Sequence, residues 1–138
     1  MHGQRRCGNL KRMEWQEATD VKEDLLHVLH TIELPHIDMN RIHCYRTTGS
    51  KVRAYARTWA FPKIFQKALN IEPSYVIEVL AEHYDRLNSD KQKKVLIHEL
   101  LHIPKNFSGA LLPHKTKSRN LHTLANQLFK EYKQKIRY

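Results

Sequence analysis

The chain has 138 residues and a mass of 16.4 kDa, enough for one domain with a sizeable core and too little for two. Hydrophobic residues at 41%, charged residues at 28%, and only four Gly and five Pro exclude collagen-like, low-complexity and mostly disordered classes. Lys plus Arg outnumber Asp plus Glu by 24 to 14, a formal net charge of +10 that favours polyanionic partners without naming one.

No apolar run has the length of a membrane span, and the first twenty residues have basic side chains with no apolar stretch behind them, which argues against a secretory signal and against a membrane partner. Cys7 and Cys44 form no CxxC pair and no disulfide framework, so a reducing, cytoplasmic setting is expected. Residues 1–13 carry Arg5, Arg6, Lys11 and Arg12 with little that is apolar. They read as a flexible basic tail, with Met13 able to serve as a start, ahead of a single domain over 14–138.

From Glu14 the residues Trp15, Ala18, Val21, Leu25, Val28, Leu29 and Ile32 recur at three- and four-residue steps, predicting an amphipathic helix that ends before Pro35. Alternation over Arg41–Arg46, the Gly49-Ser50 turn and the run Val52–Phe61 predict a β-hairpin. Pro62 suits a first helical turn, with Ile64, Phe65, Ala68 and Leu69 sharing a face through Asn70. Ser74–Leu80 (SYVIEVL) reads as a further strand. Ser89 and Gln92 form a capping-box pattern for a helix over about Asp90–Ile103, which Pro104 stops. Past Ser118, read as an N-cap, Leu121, Leu124, Ala125, Leu128, Phe129, Tyr132 and Ile136 give a final amphipathic helix. The order of elements predicts an α+β fold: a small twisted sheet packed against a motif-bearing helix, with helices near both ends.

The chemistry is concentrated in Val95-Leu-Ile-His-Glu-Leu-Leu-His-Ile103, an HExxH motif. His98 and His102 lie four apart, so on a helix their rings leave the same face one turn apart and can grip one metal ion. Glu99 beside the first ligand is placed to act on a water as general base, the arrangement of zinc peptidases. The apolar neighbours Leu96, Ile97, Leu100 and Leu101 predict burial, where two histidines and a glutamate are costly unless satisfied. The bland alternative is a surface His/Glu stripe.

A third ligand has to come from elsewhere. The spacing HExxHxxGxxH fails at Lys105 and Ser108, and the only acid after Glu99 is Glu131, near the end of the chain. His114 follows Pro113 at the end of a loop that can fold back under the motif helix. His122 is the rival, or else a side chain that supports a ligand or donates to the oxyanion, and Arg119 and Tyr132 are further candidates for the oxyanion donor.

The run from Tyr75 to His114 (YVIEVLAEHYDRLNSDKQKKVLIHELLHIPKNFSGALLPH) resembles the phage metallopeptidase family found in phages, archaea and bacteria. More distantly it is similar to SprT-like and other minimal zincin domains, in which a strand precedes the HExxH helix and a later His completes the site. The resemblance implies a zincin-like fold, one Zn2+ on His98, His102 and His114, Glu99 as the catalytic base, and a polypeptide substrate cleaved at a peptide bond by a metal-activated water. The strand at 74–80, if it is a sheet edge, could pair with that substrate by β-augmentation.

A competing reading rests on charge. Seven Lys/Arg and no acid lie from Arg41 to Ile71, and seven more stand against Glu131 alone from Lys115 to Tyr138. With Tyr45, Tyr55 and Trp59, the basic hairpin and C-terminal segment could bind nucleic acid, with a metal serving only stability. A solvated basic surface with its aromatics in the core is the plainer alternative.

Overall fold

The computed structural model of the chain describes residues 12–116 and 119–137. It is α+β, with a four-stranded mixed sheet in the order β1-β2-β4-β3, where β1 is Glu14–Glu17, β2 Ile42–Thr48, β3 Ala56–Ala60 and β4 Tyr75–Leu80. Helices α1 (Thr19–Thr31), α2 (Lys63–Leu69), the single turn α3 (Ala81–Tyr84), α4 (Ser89–Leu100) and α5 (Leu121–Ile136) complete it, with a short 3-10 turn over Met39–Arg41.

Two predicted elements change. Glu14–Glu17 is not the start of the first helix but an edge strand pairing antiparallel with β2, and Trp15, counted into the helical stripe, is 59% exposed. The helix proper begins at Thr19 and buries Val21, Leu25 and Val28, the part of the stripe that keeps a three- and four-residue step against the core. The junction is fixed by the Ala18 N–H, which donates to the Cys44 carbonyl at 2.9 Å.

The predicted hairpin is also absent. β2 and β3 do not pair; β4 lies between them, parallel to β2 and antiparallel to β3. The cause is visible in YVIEVL, buried along five of its six residues, since a strand buried on both faces is satisfied only in the middle of a sheet. Ser74–Leu80 is therefore the central strand rather than an edge, and β-augmentation there is excluded. Gly49 still turns the chain with φ 80°, where the Arg12 backbone leaves no room for a Cβ.

The register places Ile42 and Cys44 of β2, Ile77 and Val79 of β4, and Ala56 of β3 on one face, all buried in a core shared with Leu25, Leu96, Ile97 and Leu100. Cys44 is a free buried thiol, and burial pushes its pKa up to about 11, so it is unreactive at neutral pH. The opposite face is stitched by one buried acid: Glu78 accepts from Arg57 Nε at 2.6 Å, from Trp59 Nε1 at 2.7 Å and from the Thr47 hydroxyl, crosslinking three strands.

Helix α4 starts at Ser89, the residue expected to cap it. Asn88 is the N-cap, its side chain accepting from Lys91 N–H at 2.9 Å, while Gln92 Nε2 donates to the Tyr84 carbonyl instead of closing a capping box on Ser89. The helix stops at Leu100 rather than Ile103. His102 and Ile103 continue only as tight turns, their N–H groups reaching Glu99 and Leu100 carbonyls three residues back, as suits a chain entering Pro104. Helix α5 is capped by Asn120, which accepts from Thr123 N–H; Ser118 and residues 1–11 of the basic tail lie outside the described residues. The short helix α2 forms after Pro62 as predicted, yet its Ile64, Phe65 and Leu69 are exposed. Among the described residues no helix is long and apolar enough to cross a membrane.

Candidate metal centre and cleft

Helix α4 delivers His98 half-buried and Glu99 buried, at 6% exposure, and the tight turn after it delivers His102, also buried. The two rings meet edge to face with centroids 5.2 Å apart. His114 arrives from the loop that follows, its ring centroid 4.4 Å from His102 and 5.2 Å from His98. One nitrogen from each of the three histidines lies within 4.8 Å of the others, so the triad can hold a metal ion.

The loop between His102 and His114 is pinned at three places. The Tyr75 hydroxyl, at the start of β4, accepts from Gly109 N–H at 2.8 Å and donates to the Ala110 carbonyl at 2.9 Å, while Phe107 packs edge to face on the Tyr75 ring. Leu112 then straps the loop to the second histidine: its N–H donates to the His102 carbonyl at 2.7 Å, and its carbonyl sits 2.6 Å from His102 Nδ1. That carbonyl can only accept, so Nδ1 carries the ring proton and Nε2 keeps its lone pair for a metal. Finally the His114 carbonyl accepts from Leu121 N–H at 2.9 Å, tying the third histidine to the start of α5.

Burial, reinforced by the neighbouring His102, His114 and His122 rings, pushes the His98 pKa down to about 4, so this imidazole is neutral at physiological pH. Burial raises the Glu99 pKa, opposed by the Thr58 hydroxyl and by His114. Thr58 Oγ1 donates to Glu99 Oε1 at 2.9 Å and lies 3.2 Å from the Glu99 carbonyl. No sequence signal marked Thr58; it is one polar residue of ARTWA, and its role exists only because β3 lies beside α4.

His98, His114 and Glu99 open onto a cleft of about 510 Å³ lined also by Tyr55, Lys94, His122 and Asn126. His122 reaches this cleft but is not one of the three clustered rings. Arg119 lines a separate cavity with Leu34 and Leu128, and the Tyr132 hydroxyl is bonded to His27 Nδ1 at 2.7 Å in the core, so neither reaches the cleft. Glu131 pairs with Lys135 at 3.4 Å on the C-terminal helix.

Strand β3 forms the wall beside Glu99. Leu80 N–H donates to the Tyr55 carbonyl and Phe61 N–H to the Ser74 carbonyl, so the odd-numbered residues of this stretch bond to β4. The main-chain groups of Ala56, Thr58 and Ala60 therefore face the other edge, which pairs with no strand among the described residues. The basic 41–71 segment is less free than its composition suggests. Arg41 pairs with Asp38 and Glu72, Arg46 with Asp20 and Asp85, and Arg57 with Glu78. Its aromatics are not core residues, Tyr55 and Trp59 each being 49% exposed.

A mixed sheet beside a helix that bears His98 and a buried glutamate, with His102 on the turn that follows and a third histidine from a pinned loop, is compatible with a small metallopeptidase of zincin-like fold. The chain belongs to the family described as "Putative phage metallopeptidase", whose model matches residues 13–138. Neither a curated protein nor a solved structure matches it.

Proposed function

We propose that the chain is a zinc-dependent peptidase in which His98, His102 and His114 hold one zinc ion and Glu99 is the general base. The observation that carries this reading is the convergence of three imidazole nitrogens within 4.8 Å beside a buried carboxylate. The donor set fits zinc, which takes imidazole ligands and in catalytic sites three protein ligands with an open position. A bound zinc ion supplies Lewis acidity toward the scissile carbonyl and the attacking water.

The protein's own groups do the rest. Glu99 Oε1 is held by Thr58, leaving Oε2 to take the proton of the attacking water and return it to the leaving amine. The Leu112 carbonyl fixes the His102 tautomer, and His122 on the far wall is a donor for the developing oxyanion. An extended substrate pairs with the open edge at Ala56 and Thr58, which sets the scissile bond against Glu99.

The test is metal analysis together with proteolysis of an unstructured protein. Wild type is expected to carry one zinc and cleave, Glu99→Gln to keep the zinc and lose cleavage, and His98→Ala to lose both. Zinc content unchanged in His98→Ala overturns the site, and undiminished cleavage by Glu99→Gln overturns the mechanism.

A further inference from the structure

Apart from Glu99, the charged side chains lining the cleft are lysines. Lys91, Lys94 and His98 are spaced three and four residues apart on α4, so they share one helix face, and all three line the cleft. Among the described residues lining it, Glu99 is the only acid. Neighbouring lysines are neutralised, Lys93 facing Asp24 at 3.8 Å and Lys133 facing Asp90 at 3.1 Å, whereas Lys91 and Lys94 have no carboxylate partner among the described residues. Lys94 is half-buried and its ammonium lies 6.0 Å from the centre of the Phe129 ring, which limits its freedom. On α5, Asn126 lines the same cleft with a buried Oδ1 that accepts no hydrogen bond. A buried acceptor without a donor is costly, and a ligand that brings an N–H removes the cost.

We propose that Lys91 and Lys94 form a subsite for a carboxylate of the substrate, with Asn126 accepting a main-chain N–H beside it, so that the cleft selects acidic peptides. The inference rests on the peptidase reading above. With a rise of ~1.5 Å per helical residue, Lys94 and Lys91 stand ~6 and ~10 Å along the axis from His98, and an extended peptide advances ~3.3 Å per residue. The carboxylate therefore belongs two or three residues from the bond cleaved. It can come from an Asp or Glu side chain or from the C-terminus of a short peptide.

Quenched fluorescent peptides of one parent sequence test this, carrying Asp, Ala or Lys at the second and third positions on either side of the scissile bond, each with a free or amidated C-terminus. For the zinc-loaded full chain the Asp peptides are expected to be preferred over Ala by about three- to tenfold in kcat/KM, as two part-exposed ion pairs provide. The preference should shrink with added salt and invert toward Lys peptides in Lys91→Glu/Lys94→Glu. If the free C-terminus alone confers it, the terminal carboxylate is the ligand; if Asp confers it in amidated peptides, the side chain is. Equal turnover of Asp and Ala peptides, or a preference that survives the double charge reversal, overturns the proposal.

Binding of the same peptides to Glu99→Gln, read by fluorescence anisotropy, separates this outcome from failure of the peptidase reading. No cleavage of any peptide by wild type, with Asp still bound over Ala through the two lysines, removes the peptidase and keeps the carboxylate subsite; no discrimination in binding removes the subsite. Displacement of the Asp peptide by oligothymidylate at concentrations where the peptide itself does not compete overturns it in favour of a phosphate ligand.

Discussion

Replacing Tyr75 by Phe isolates the means by which the loop presents His114. The ring is wholly buried and stays in place against Phe107, so the substitution removes only the hydroxyl and with it the bonds to Gly109 N–H and the Ala110 carbonyl. A hydrogen bond contributes about 1 kcal/mol net, and an orphaned buried partner costs ~1–3 kcal/mol. Gly109 is half-buried and Ala110 is exposed, so water can replace the lost partner at the carbonyl more readily than at the amide, which puts the total near ~2 kcal/mol. If that penalty falls on ordering the loop that carries His114, zinc affinity drops about thirtyfold. Urea unfolding of the metal-free protein gives the stability change, and competition against a chromophoric chelator gives the affinity. A Tyr75→Phe protein that loses stability but binds zinc as tightly as wild type would show that the contacts to Leu112 and Leu121 suffice to place His114, and the reasoning would fail.

Three further outcomes are expected. His114→Ala should abolish stoichiometric zinc binding while His122→Ala keeps it, measured by metal analysis after dialysis; the reverse result would exchange their roles. Thr58→Val should retain zinc and lower kcat about ten- to a hundredfold, since a hydrogen bond to a carboxylate is worth ~1.5–3 kcal/mol and Glu99 Oε1 loses its positioning donor; an unchanged kcat with an altered KM would assign Thr58 to substrate binding instead. Burial alone would raise the Glu78 pKa, but Arg57, Thr47 and Trp59 outweigh it and hold the carboxyl below its ordinary 4.5. A depressed folded pKa stabilises fully above the unfolded value, so this contribution is present above pH 4.5 and disappears as pH falls through the folded value. Urea midpoints should therefore fall with acid below 4.5, and Glu78→Gln should remove part of that slope; an identical slope in the variant would contradict it.

The parts of the fold that were legible in sequence are those whose pattern has one physical solution. Ser89–Leu100 with His98 and Glu99, and Leu121–Ile136 with its three- and four-residue step, need a helix to put their apolar residues on one side. The failures share a cause: local periodicity does not report pairing partners. Trp15 and Ala18 continue the step of α1 while belonging to a strand and to a cap, because four residues of EWQE satisfy their backbone on β2. Gly49-Ser50 is a good turn, yet the chain leaving it passes over the position that β4 later fills. The site divides likewise. The approach of His98 to His102 follows from helical spacing and that of His114 from the reach of a loop, whereas the contact of Thr58 with Glu99 and the places of Lys94 and Asn126 in the cleft come from packing between elements distant in sequence.

The strap at Leu112 has one further consequence. Both of its bonds to His102 use main-chain groups on the Leu112 side, so the tether is blind to the side chain standing there. What the tether does demand is a fixed length of chain, because removing or adding one residue between His102 and Leu112 would carry a different carbonyl to the imidazole and swing His114 out of reach. The segment should thus tolerate replacement of its solvent-facing residues while rejecting insertions and deletions, save that Gly109, with φ 94° and Gln66 pressed against it, also resists replacement.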